Sequence, residues 1–139
     1  MVIVAQSYAA QGNTDAAFDY VDTYLAKHPD QAGLYPILAQ LYLVKKEPDK
    51  AAEAYTKALA SAPENIDAYI NLVRIYANQG KIYRITELLS RGITSNPSNL
   101  ILKTELANWY VLVGKSNEAL ALLEEAYKQD RNSRLVINN

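Results

Sequence analysis

Pro29, Pro63 and Pro97 stand 34 residues apart, and Tyr8, Tyr42, Tyr76 and Tyr110 keep the same interval. Gly12, Gly80 and Gly114 follow this beat, with Lys46 at the place where a fourth glycine would fall. Three residue types agreeing on one period mark an internal repeat. A period within roughly 20–50 residues restricts the chain to an array of small units that bury their apolar faces against one another.

Within the period, apolar residues recur at helical spacing, as in Tyr35, Leu38 and Tyr42 and again in Ala51, Tyr55 and Ala58. Each repeat is therefore expected to be two helices, the first from about Gly33 to Lys45 and the second from about Asp49 to Ser61. Pro48 suits the first turn of the second helix, where its missing N–H costs nothing, and Pro63 stops that helix. Gly12, Gly80 and Gly114 fall where a helix would end on a left-handed residue, so Lys46 should be mildly strained if it takes that conformation.

The period, the two-helix unit and the residue classes resemble the tetratricopeptide repeat family. Tyr35, Leu38, Ala39, Tyr42, Ala51, Tyr55, Ala58 and Pro63 carry the family pattern best. The next repeat offers Tyr69, Leu72, Val73, Tyr76, Ile85, Leu89, Gly92 and Pro97, in which Ile85 and Gly92 replace the usual alanines. A further one offers Leu106, Ala107, Tyr110, Ala119, Leu123 and Ala126, with Lys103 in place of the opening aromatic and Arg131 in place of the proline. The first, with Val4, Ala5, Tyr8, Ala17, Val21, Tyr24 and Pro29, lacks the start of its first helix.

The resemblance implies an all-α fold, a right-handed α-solenoid of stacked antiparallel helix pairs forming a single domain over residues 1–139. Repeats are expected at approximately 1–31, 32–65, 66–99 and 100–133, with 134–139 opening another. These ragged ends suggest a segment of a longer array, because terminal solenoid repeats normally carry a polar capping face.

Close packing of paired helices requires small residues on one side of the contact, the role assigned to Ala39, Ala51, Ala58, Ala107, Ala119 and Ala126. Tyr42, Tyr76 and Tyr110 should fill the space between neighbouring hairpins. Tyr20 is left unexplained by the period, as is Tyr83. Beside Ile82, Tyr83 is expected to pack against the next hairpin, the alternative being an exposed contact point.

The resemblance also places the first helices on a concave groove that receives an extended peptide or a helix of a partner protein. Gln6, Gln40, Arg74 and Asn108 share one register and would form a polar ladder along it, flanked by Leu43, Val44, Ile70 and Val111. Arg74 is the one charged member of the ladder, and a planar guanidinium suits a carboxylate. Lys81, Arg84 and Arg91 follow it, whereas residues 1–31 set Asp15, Asp19, Asp22 and Asp30 against Lys27, a basic grouping that suits an acidic partner. Chaperone-tail-binding relatives use a five-residue clamp of lysine, asparagine and arginine. Those places hold Val2, Gln6, Ile37, Asp67 and Asn71 in one register and Pro36, Gln40, Asn71, Ile101 and Glu105 in the next, so that ligand is not carried over.

Nothing points to chemistry. One histidine, His28, has no convergent partners for a triad or metal, the glycines are isolated turn residues, and carboxylate pairs such as Asp19 with Asp22 or Glu124 with Glu125 suit solvated helix faces. The expectation is a non-enzymatic chain with no cofactor and no metal. The absence of cysteine excludes disulfides, and a net charge of −1 argues against nucleic acid. Met1 to Ala5 lacks the features of a signal peptide, and no stretch has transmembrane length, so a soluble chain without membrane insertion is expected. The competing reading is self-association through the array ends or an Ile82–Tyr83 ridge, giving a homo-oligomer.

Overall fold

A computed structural model describes the backbone of residues 1–137 and the side chains of residues 1–132. The described residues form α1 (Val2–Ala10), α2 (Thr14–Lys27), a 3₁₀ turn (Ala32–Leu34), α3 (Tyr35–Val44), α4 (Pro48–Ser61), α5 (Ile66–Asn78), α6 (Ile82–Ser95), α7 (Leu100–Leu112) and α8 (Ser116–Ile137), with no strand among them. The all-α class of paired helices expected from the period is the observed one.

Local chemistry explains the joints. At four places the chain leaves a helix through a positive φ, at Gly12, Lys46, Gly80 and Gly114. After each, the next N–H donates to the carbonyl of the period-34 tyrosine: Asn13 to Tyr8 at 3.0 Å, Glu47 to Tyr42 at 2.9 Å, Lys81 to Tyr76 at 2.9 Å and Lys115 to Tyr110 at 2.8 Å. These bonds occupy carbonyls that the helix end would otherwise leave open. Lys46 takes φ 60°, the conformation that disfavours a side chain. Helix starts are capped by Asn13, Asn65 and Asn99, whose side-chain oxygens accept from the N–H of Ala16, Ala68 and Leu102 at 3.3, 3.1 and 2.9 Å. Pro48 opens α4 as its first residue.

The helices fall into two compact units, Met1–Ile75 and Tyr76–Asn139. In the first, the core is Ala5, Ala17, Val21, Leu34, Leu38, Ala39, Ala51, Tyr55, Ala58, Tyr69 and Leu72, so the alanines do sit where helices approach closely. In the second it is Ile85, Leu88, Leu89, Leu102, Leu106, Ala107, Ala119 and Ala126, joined by a lysine, Lys103, which is only 2% exposed. Tyr42, Tyr76 and Tyr110 are half-buried. Each carries a cation over its ring: Lys50 at 5.6 Å, Arg84 at 5.8 Å and Lys115 at 5.6 Å from the centroid.

Tyr83 is 71% exposed and Ile82 is exposed beside it, so the pair does not pack away as expected. α8 is continuous from Ser116 to Ile137, running through Arg131, where a proline would have stopped it. The further repeat expected over 134–139 lies outside the residues whose side chains are described, and Asn138 and Asn139 lie outside the described residues altogether.

Candidate binding face on α3 and α5

The polar ladder is distributed over both units. Gln6 on α1, Gln40 on α3 and Arg74 on α5 are exposed in the first unit, and Asn108 on α7 is exposed in the second. Of the apolar flank, Leu43 and Val44 are exposed at the end of α3, Ile70 is half-buried on α5, and Val111 is exposed on α7. Lys81, Arg84 and Arg91, grouped with Arg74 by sequence, belong to the second unit.

Gln40 and Arg74 both act electrostatically on a residue that the sequence placed in the core. Tyr55 of α4 is 1% exposed, and its hydroxyl is buried without a partner at hydrogen-bond geometry. The Gln40 amide, the Arg74 guanidinium and the Asp67 carboxylate all come within electrostatic reach of it, Gln40 without closing a well-formed bond. Burial, the largest influence, pushes the phenol above its ordinary value. Gln40 and Arg74 oppose that rise by favouring the phenolate, and Asp67 adds to it. A buried hydroxyl without a partner costs about 1–3 kcal/mol. At the equivalent places in the other repeats stand Val21 and Leu89, which are buried, and Leu123, which is exposed; none of them carries a hydroxyl. A lone hydroxyl in an otherwise aliphatic series was the signal in the sequence that could have marked this site.

On α5, Asp67 and Arg74 are seven residues apart and project from the same side of the helix, roughly 10 Å apart along its axis. The Asn71 side chain between them donates to the Asp67 carbonyl at 2.8 Å. Arg74 forms no ion pair among the described residues.

Each unit also holds a cleft between its longer helices. In the first unit Asp22, Leu25, Tyr35, Leu38, Tyr42, Lys50, Glu53 and Lys57 contribute to a cleft of about 500 Å³. In the second, Ser90, Ile93, Leu106, Tyr110, Glu118, Ala121, Leu122 and Glu125 contribute to one of about 380 Å³. No group of three or more His, Cys, Asp or Glu among the described residues is arranged to hold a metal ion, and no helix among them is long and apolar enough to cross a membrane.

Helical hairpins presenting exposed polar and apolar side chains define an interaction scaffold. The chain belongs to the tetratricopeptide repeat family, whose sequence profile matches residues 4–66 and 37–82, together more than half of its 139 residues. Proteins of this family are in general non-enzymatic and bind protein partners. No curated protein matches the chain by sequence. Among solved structures, two crystal structures of MamA superpose with TM-scores of 0.74 and 0.73 at 20% identity, covering 94% of this chain and 76% and 71% of theirs. A MamA RS-1 double mutant gives 0.70 at 17% identity, covering 93% and 72%. At these identities the likeness is one of fold.

Proposed function

We propose that the chain binds a peptide or helix of a partner protein along the exposed faces of its first helices, in the groove that a right-handed stack of repeats 1–31, 32–65, 66–99 and 100–133 would form. Gln6, Gln40, Arg74 and Asn108 supply the polar contacts, and Leu43, Val44, Ile70 and Val111 the apolar ones. The observation that supports this reading is that Gln40 on α3 and Arg74 on α5 are exposed in the first unit, with Leu43 and Val44 exposed at the end of α3. Exposed apolar side chains beside a polar ladder suit a ligand that offers both a backbone and side chains.

The test is an affinity capture from the source lysate with the wild type and a Gln40→Ala/Arg74→Ala variant of unchanged circular dichroism. A protein held by the wild type and lost by the variant supports the reading. Equal capture moves the site elsewhere.

A second reading, self-association, is favoured by apolar side chains exposed on α1 (Ile3, Val4 and Tyr8), on α8 (Leu120, Leu123 and Tyr127) and at Ile82 and Tyr83. Sedimentation equilibrium over a hundredfold concentration range distinguishes them, since a constant monomer mass excludes self-association over that range.

A further inference from the structure

Two apolar faces are exposed at places in the repeat that are covered elsewhere in the chain. On α8, Leu123 is 41% exposed, whereas its equivalents Val21, Tyr55 and Leu89 on α2, α4 and α6 are at most 1% exposed. Leu120 and Tyr127 beside it are exposed as well, and the equivalent of Tyr127, Leu25, is buried. On α1, Val4 is 40% exposed, whereas its equivalents Leu38, Leu72 and Leu106 are buried. The contact that covers such faces is formed between α2 and α3 of the first unit. There the Phe18 and Tyr42 rings meet edge-on with centroids 5.2 Å apart, Lys45 pairs with Asp15 at 3.1 Å, and Leu25 and Leu38 line one cleft. Carried along by the 34-residue register, the α2 half of this contact falls on Asn117, Leu120 and Tyr127 of α8, and the α3 half on Val4, Tyr8 and Gln11 of α1. Both halves of a hairpin-to-hairpin interface are therefore exposed on one chain.

We infer that the covering element is a second copy of this chain, with α1 of one copy docking head to tail on α8 of the next. In that contact Tyr8 lies against Leu120 as Tyr42 lies against Phe18, and Gln11 bonds Asn117 where Lys45 bonds Asp15. The inference rests on the self-association reading above and assigns its surfaces. Gln11 and Asn117 are both exposed, and two amides satisfy each other's donors and acceptors without a charge. The balance of charge favours the same pairing. Residues 1–75 hold six Lys or Arg against nine Asp or Glu, and residues 76–139 hold eight against six, so unlike units attract and like units repel. Because the two halves are different surfaces, the contact is heterologous and each added copy leaves one half open for another. Helical repeats gain stability from each neighbour they stack on, so a junction between copies in register works as an interior one does.

The experiment is analytical ultracentrifugation of the whole chain and of two variants with unchanged circular dichroism, Val4→Glu on α1 and Leu120→Glu on α8. The wild type should grow in mass with concentration. Each variant alone should associate about tenfold or more weakly, because docking would bury a carboxylate. An equimolar mixture of the two should recover a one-to-one dimer and stop there, since each variant keeps the half that the other has lost. A further variant, Gln11→Lys/Asn117→Asp, installs the Lys45–Asp15 pair at the junction. It should associate at least as tightly as wild type and be loosened more by salt, whereas Gln11→Lys/Asn117→Lys should weaken association about threefold or more. If Val4→Glu and Leu120→Glu associate as the wild type does, the inference is overturned, while self-association stands and moves to Ile82 and Tyr83. If either variant abolishes association and the mixture stays monomeric, like faces meet and the head-to-tail pairing is wrong. A wild type of constant monomer mass overturns both the inference and the self-association reading.

Discussion

The hairpin α3–α4 in the first unit and the hairpin α7–α8 in the second are two repeats apart, and the same places solve the same packing problem with different charges. In the first, Tyr35 donates its hydroxyl to the Pro29 carbonyl at 2.7 Å, and Lys57 stands over its ring, 6.0 Å from the centroid. In the second, Lys103 replaces the tyrosine and Glu125 replaces the lysine. The ammonium bonds Glu125 at 2.7 Å and Gln129 at 2.8 Å, and Gln129 in turn donates to the Ser98 carbonyl at 2.7 Å. Both versions tie the first helix to the second and to the loop before the hairpin. The aromatic version does so with a neutral buried group, the lysine version with a buried charge that depends on its partners.

The same replacements recolour the clefts. Lys50 and Lys57 on the wall of the first become Glu118 and Glu125 in the second. In the first cleft each lysine is already paired, Lys50 with Glu47 and Lys57 with Glu53 at 3.4 Å. The difference teaches that the 34-residue period specifies volume and helix geometry at each place, while charge is set by the local partner.

The comparison can be broken most sharply at its buried members. Lys103→Ala should cost about 2–5 kcal/mol, because it removes a buried stem and takes the ammonium away from the Gln129 amide oxygen, whereas Tyr35→Phe should cost only about 1 kcal/mol. Urea denaturation of the two variants checks this, and equal losses would erase the distinction. A double-mutant cycle of Lys103→Met and Glu125→Gln should show a coupling of about 1–3 kcal/mol, reduced by the exposure of Glu125. The matching cycle of Tyr35→Leu and Lys57→Met should give about 0.5 kcal/mol, as fits an exposed cation at the far limit of ring contact.

A smaller effect tests the turns, where Lys46 and Gly114 are equivalent. Gly114→Lys should destabilise by about 1 kcal/mol from conformation alone, since a Cβ there meets nothing within 4 Å. Lys46→Gly should be neutral or stabilising by up to about 1 kcal/mol. Thermal melts that rank these two the other way would show that the left-handed turn carries no strain. The last contrast, Tyr55 against its counterpart Leu123, emerges only in alkali. The folded state keeps the Tyr55 phenol protonated above its ordinary value, so that part of the stability is present below about pH 10 and lost as pH rises further. Denaturation of Tyr55→Phe across that range should show a flatter pH dependence than wild type.

Much of this was legible in the sequence because it depends on period. The prolines, the buried alanines and the left-handed turns, Lys46 included, follow from the 34-residue interval and from what a helix end requires. Departures from the period were visible but their resolution was not. Lys103 was recognisable as a substitution for an aromatic, yet its burial depends on Glu125 and Gln129, more than twenty residues away, meeting it across the hairpin. The hydroxyl of Tyr55 was hidden by the success of its ring as a core residue, and nothing in a one-dimensional pattern shows that its tip is buried without a partner, within electrostatic reach of Gln40, Asp67 and Arg74.

The Lys103–Glu125 pair has a further meaning for how repeat genes exchange segments. A crossover between the two hairpins' coding sequences that fell inside a hairpin would join α7 to α4 and set the buried Lys103 against the exposed Lys57, two cations with no carboxylate between them. The reciprocal product would leave Glu125 facing Tyr35. Exchange at a loop between hairpins keeps each pair whole. The unit that can be inherited intact is thus the hairpin, with its private charge pairing, and not the single helix.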